Sequence, residues 1–170
     1  PGVQADGSDY IIEGVNLSKD GDYQTSYGKS EKAKFLTGAV KAGAEYVLMG
    51  GHRIYANVGY FEDAPKFSGA FLSPRTRNTL VPNLKNSKTF SADANYQYSN
   101  RGYNIRVTAF YTTINDQSKV MSFYDDSQHS FTNFAMTGID ERHMGIELGF
   151  KVPFFLTNLT LQGALSLGEY

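Results

Sequence analysis

The chain has no cysteine and no tryptophan, only 3 histidines and 5 prolines, and a net charge of −1 over 170 residues. Without cysteine, disulfide frameworks, cysteine-ligated zinc and thiol catalysis are excluded. The near-neutral charge leaves no basic stripe of the kind that binds nucleic acid. Long apolar runs are missing too, and the mean hydropathy is −0.38. No helix of roughly 20 apolar residues is therefore available to cross a membrane. This does not touch membrane β-barrels, whose strands are only half apolar. The initiator methionine and the charged-then-apolar start of a signal peptide are also lacking. Pro1 and Tyr170 both read as cuts, so the chain is expected to be a piece of something longer.

What the chain does have is 12 Tyr, 12 Phe and 17 Gly. With few helix formers beside them, these favour an all-β chain. The main signal is strict two-residue alternation, which places one set of side chains on each face of a strand. Leu36, Gly38, Val40, Ala42, Ala44, Tyr46 and Leu48 alternate with Thr37, Ala39, Lys41, Gly43 and Glu45. The pattern returns with Ile54, Ala56, Val58 and Tyr60, then with Phe90, Ala92, Ala94, Tyr96 and Tyr98. Tyr103, Ile105, Val107, Ala109 and Tyr111 make a fourth set, and Met144, Ile146, Leu148, Phe150 and Val152 a fifth. The last runs Leu159, Leu161, Gly163, Leu165, Leu167.

The connections alternate in length. Met49-Gly50-Gly51-His52, Asn100-Arg101-Gly102 and Pro153 to Asn158 are short turns, whereas Phe61–Lys88 and Asp116–Arg142 are long. Short turns on one side and long loops on the other are the asymmetry of an outer-membrane barrel. The Gly/Asp/Ser-rich stretch 1–33 is expected to be a further external loop, and 34–170 to hold about six strands. Aromatic residues cluster at strand ends. Tyr46, Tyr96, Tyr98, Tyr103 and Phe150 lie toward the short turns, and Tyr60, Phe90 and Tyr111 toward the long loops. Two aromatic girdles around an aliphatic band suit a lipid-facing surface. The expected fold class is all-β, an antiparallel up-and-down meander forming part of a large transmembrane β-barrel.

Candidate chemistry is sparse. His52, His129 and His143 do not stand at metal-ligand or triad spacing. Asp20-Gly21-Asp22 opens like a calcium loop but lacks its later ligands, and Asp125-Asp126 reads as a solvated pair. No catalytic residue, metal site or cofactor is expected. Lys41, Glu45, Asp93, Arg106 and Glu147 fall on polar faces, which in a barrel line the lumen. Phe67, Arg75 and Arg77 in one long loop, and Phe123 and Tyr124 in the other, are the candidate substrate contacts. Aromatic and arginine side chains are common binding anchors, though they serve equally to pack a long loop together.

The strands carry a resemblance. Phe35 to Tyr46 and His52 to Phe61 resemble the barrel of TonB-dependent receptors of Bacteroidetes-type bacteria. Ala64-Pro65-Lys66-Phe67 is similar to their "R-A-P-x-F" stretch, except that Asp63 stands where that pattern has Arg. Gly138 to Leu148 is similar to their "G-I-D-A-x-H-x-G-I-E" segment, and Gly163 to Tyr170 to the strand that follows. The resemblance covers Lys34 to Tyr170 and implies a barrel of roughly 22 strands closed by a plug domain. It implies residence in the outer-membrane lipid, a small nutrient ligand, and energy passed through TonB to the protein's own plug. Transport by binding and gating, with no enzyme activity and no nucleic acid, follows from it. Two other readings share the alternation: a non-transporting outer-membrane or surface β-protein serving adhesion or ligand binding, and a soluble β-sandwich carbohydrate-binding module.

Overall fold

A computed structural model describes residues 2–10, 13–15, 27–30, 32–73, 79–154, 156 and 159–169, with side chains from residue 30 onward. The alternating segments form strands. They are β1 (Gly2–Tyr10), β2 (Glu13–Val15), β3 (Tyr27–Lys29), β4 (Ala33–Leu48), β5 (His52–Asp63), β6 (Ser87–Asn100), β7 (Tyr103–Asp125), β8 (Ser130–Phe154) and β9 (Leu159–Glu169). One helical turn, α1 (Phe67–Ala70), lies between β5 and β6. β1, β4, β5, β6, β7, β8 and β9 form one antiparallel sheet in that order, while β2 and β3 pair by themselves. Apart from the β1–β4 step, sheet neighbours are chain neighbours, which makes the main sheet a meander.

Register turns the separate alternations into two continuous faces. Ala44, Ala56, Ala94, Ala109, Ile146 and Leu167 are successive partners across six strands. The next row is Glu45, Tyr55, Asn95, Thr108, Glu147 and Ser166. Every apolar set falls on one face and every polar set on the other. A one-residue slip at any strand would exchange its faces, so this agreement is strong support for the pairing. The apolar face is open: Leu36, Tyr46, Ile54, Val107, Ile146, Leu165 and Leu167 are among its exposed residues. A soluble protein rarely leaves so large a contiguous apolar surface uncovered.

Two expectations change. Residues 2–10, read as loop from their polarity, pair with β4 from Gly2↔Lys41 to Tyr10↔Ala33. With Asp6, Ser8 and Asp9 among its nine residues, the stretch carries little apolar alternation to mark a strand. It adds a seventh strand to β4–β9 in the main sheet. Most of the expected long loop 116–142 is also strand, because β7 and β8 continue to a turn over residues 126–129. At about 3.3 Å per residue, the 23 residues of β7 reach roughly 75 Å. A membrane strand needs only about 9–11 residues, so the end of this hairpin forms a projecting arm.

The arm starts at two bulges. Pairing runs Ile114↔Glu141, Gln117↔Ile139, Ser118↔Thr137, so β7 gains one residue and β8 then gains one back. Asp116 (φ 59) and Gly138 (φ 73) take the left-handed conformations that this requires. Since the two shifts cancel, the arm continues in the original register. The short turns use left-handed residues as well: Gly50 (φ 82), Gly51 (φ 88), Arg101 (φ 47) and Gly102 (φ 84).

Candidate ligand-binding site

The connection between β5 and β6 creates the most enclosed region among the described residues. Residues 64–73 and 79–86 fold back over the polar face at the end of the sheet farthest from the short turns. Phe71 and Leu80 form a single antiparallel bridge, and Val81 N donates to Ala70 O at 2.9 Å. Among the described residues four hydrophobic ones are buried (Ala33, Ala70, Phe71 and Val81), and all but Ala33 lie in this connection. The loop has therefore made a small core of its own, where a loop of polar residues would have stayed solvated.

Between the loop and the sheet lies a cavity of about 890 Å³. Its floor is polar-face strand, including Thr89, Ile114 and Glu141, and its roof is loop, including Lys66 and Ser68. The bulge supplies one wall through Asp116, Gln117 and Ser118. Lys85 Nζ lies 3.6 Å from Asp116 Oδ1, and Lys88 Nζ lies 3.9 Å from Asp116 Oδ2. Asp116 N in turn donates to Asp140 Oδ1 at 3.0 Å. The Nε2 of Gln117 is buried without a hydrogen-bond partner. Buried donors are nearly always satisfied, so this amide is an unused hydrogen-bond donor in the cavity wall.

Farther down the polar face, Asp93 accepts from Asn57 Nδ2 at 3.0 Å and also from Asn95 Nδ2. Thr108 Oγ1 donates to the buried Asn95 at 2.6 Å. Arg53 pairs with Glu45 at 3.0 Å, and Lys41 Nζ stands 4.7 Å from the Phe61 ring centroid. A second hollow of about 410 Å³ opens over Gly43 and Gly59, next to Lys41 and Asp93.

The expected site residues thus divide. Lys41, Glu45, Asp93, Arg106 and Glu147 share the polar face by register. Phe67 lies in α1 with its ring 5.3 Å from Phe71, is half-exposed and stands outside the lining of the cavity. Tyr124 meets Phe131 edge-on at 5.3 Å near the tip of the arm. Phe123, its neighbour on β7, points to the opposite face. Arg75 and Arg77 lie outside the described residues. Sequence reasoning passed over Lys66, Lys85, Asp116 and Gln117. A signal existed at the last two, because the alternation breaks at Asn115-Asp116.

An open antiparallel sheet with one continuous apolar face and one networked polar face is the wall of a transmembrane β-barrel. The family model described as "TonB dependent receptor-like, beta-barrel" matches residues 2–169. The chain belongs to that family, whose members are outer-membrane transporters and not enzymes. The match does not reach the Bacteroidetes-type subgroup that the strands resemble. No curated protein sequence matches the chain. A solved structure titled "Copper transporter OprC" is similar in fold, with a TM-score of 0.63 at 17% identity. The likeness covers 98% of this chain and 26% of that one, so the chain spans about a quarter of that transporter.

Proposed function

We propose that this chain is part of the wall and outer rim of a receptor that imports a nutrient across the outer membrane. The observation that carries the reading is the pair of loop limbs 64–73 and 79–86, folded over the polar face above the 890 Å³ cavity while the opposite face stays apolar and open. In this reading the apolar face meets lipid, the polar face lines the lumen, and the long connections lie outside the cell. The ligand is held in the cavity by Lys66, Gln117 and Ser118, with Phe67, Arg75, Arg77, Phe123 and Tyr124 as further contacts on the loop and arm. Lys41, Glu45, Asp93, Arg106 and Glu147 continue the passage downward. The rest of the barrel, a plug domain and TonB complete the machine.

Copper, named for the similar structure, is not carried over. Among the described residues no group of three or more His, Cys, Asp or Glu stands ready to hold a metal ion.

Face and orientation are tested in the full-length receptor. Spin labels at Ala42, Val58, Ala94 and Val107 are expected to report lipid, and labels at Lys41, Asn57, Asp93 and Arg106 water or protein. The reverse pattern overturns the wall assignment. Transport is tested by deleting the receptor gene and finding the limiting nutrient on which growth fails. Wild-type receptor should rescue growth, and a receptor with residues 64–86 replaced by a short glycine linker should not. Equal rescue by both removes the loop from the function.

A further inference from the structure

We propose that the described limbs of the β5–β6 connection, residues 64–73 and 79–86, form a fixed strap that ties the projecting arm to the rim of the sheet, and not a lid that opens for each ligand. This goes beyond the transport reading and rests on contacts alone. A lid is drawn from the weakly packed end of a structure, with few buried contacts and exposed hydrogen bonds. Here the reverse holds. Ala70 and Phe71 are both 0% exposed, whereas nearly all described side chains of the sheet beneath them are exposed or half-buried. Gly69 sits directly on the arm's base, where an added Cβ would lie 3.4 Å from Ser118 O and 3.6 Å from Ser118 Oγ.

The strap is fastened at both ends. Toward the arm, Asn133 Nδ2 donates to Leu72 O at 2.7 Å across 61 residues of chain. The orientation of that amide is set from the other side, because Ser122 Oγ donates to Asn133 Oδ1 at 2.6 Å. Toward the rim, Asn86 Nδ2 donates to Leu36 O of β4 at 2.6 Å, reaching past the end of β5. Between these points, the Lys85–Asp116 pair joins the returning limb to the bulge at which the arm begins. Bulges bend and twist a hairpin, and the strap is bonded both to the bulge, at Asp116, and to the arm beyond that bend, at Asn133. With it, loop, bulge and rim form one body, and the ligand cavity has a preformed roof.

The test is a distance measurement between nitroxides on Ser68→Cys (strap) and Thr132→Cys (arm) in the full-length receptor. A fixed strap gives one narrow distribution. Asn133→Ala and Asn86→Ala should each at least double its width, while Asn133→Asp, which keeps the shape but loses the donor, should behave like Asn133→Ala. A control pair at Gln97→Cys and Arg106→Cys, register partners on β6 and β7, should not change, which separates a released strap from an unfolded barrel. A broad or two-peaked distribution in the receptor with its strap intact overturns the proposal. So does a narrow one that neither Asn133→Ala nor Asn86→Ala widens.

Discussion

Gly51 shows how much a single turn residue decides. It sits at φ 88, and a Cβ there would collide with the carbonyl of Ser99, whose own N–H donates to Gly51 O at 2.8 Å. An L-residue in this conformation costs about 1–2 kcal/mol before the collision is counted. Gly51→Ala should lower the temperature at which the purified receptor loses its compact migration on a gel. Asn100→Ala, which removes only a 3.3 Å bond to Gly50 O, should have a far smaller effect. At the tip of the arm, Asp125 accepts from Ser127 Oγ at 2.6 Å and Ser127 N at 2.9 Å. The Ser127 side-chain bond first, then its backbone N–H, hold the Asp125 pKa below the ordinary 3.8. A group whose pKa falls on folding stabilises the fold fully above its ordinary value, and that contribution fades as pH drops through the lowered one. Amide exchange over residues 125–130, corrected for intrinsic rates, should therefore quicken as the pH falls below about 4. Asp125→Asn should remove that dependence.

Among the elements, strand and short turn are legible in sequence, because period-two alternation and Gly-Gly or Arg-Gly turns are local consequences of strand and turn geometry. The arm is not. Residues 116–142 carry little apolar alternation, yet most of them are strand. The polarity that reads as loop belongs to a solvated hairpin. The paired bulges are half visible: Asp116 breaks the alternation, but the compensating Gly138 is recognisable only once β7 and β8 are paired. A β-branched residue is a genuine outlier at positive φ. Asp116→Val should shift the bulge and lower the same gel transition more than Asp116→Gly does. Face assignment also belongs to this scale. Ala94→Arg on the apolar face should cost about 2–4 kcal/mol if it sits at the bilayer midplane. Tyr55→Arg, which shares a register row with Glu45 on the polar face, should cost far less. Urea-driven folding of the full receptor into vesicles measures both.

For the whole molecule, the sheet fixes what the segment can be. β1 and β9 are its outer strands, each with a neighbour on one side only, and unpaired edges invite association with other chains. With an open apolar face as well, the 170-residue chain expressed alone should fail to form a soluble monomer. Gel filtration without detergent checks this, and a sharp monomer peak would favour a closed soluble sheet. By itself the sequence determined an all-β chain whose strands carry an apolar and a polar side, because two-residue alternation is written residue by residue along each strand. Only the tertiary structure brought residues 64–73 and 79–86 onto the polar face, placed Gln117 and Lys66 around one cavity, and set Phe67 against Phe71. Those outcomes depend on pairs such as Leu72 with Asn133 and Leu36 with Asn86. Contacts between residues 50 or 61 positions apart leave no period in a sequence.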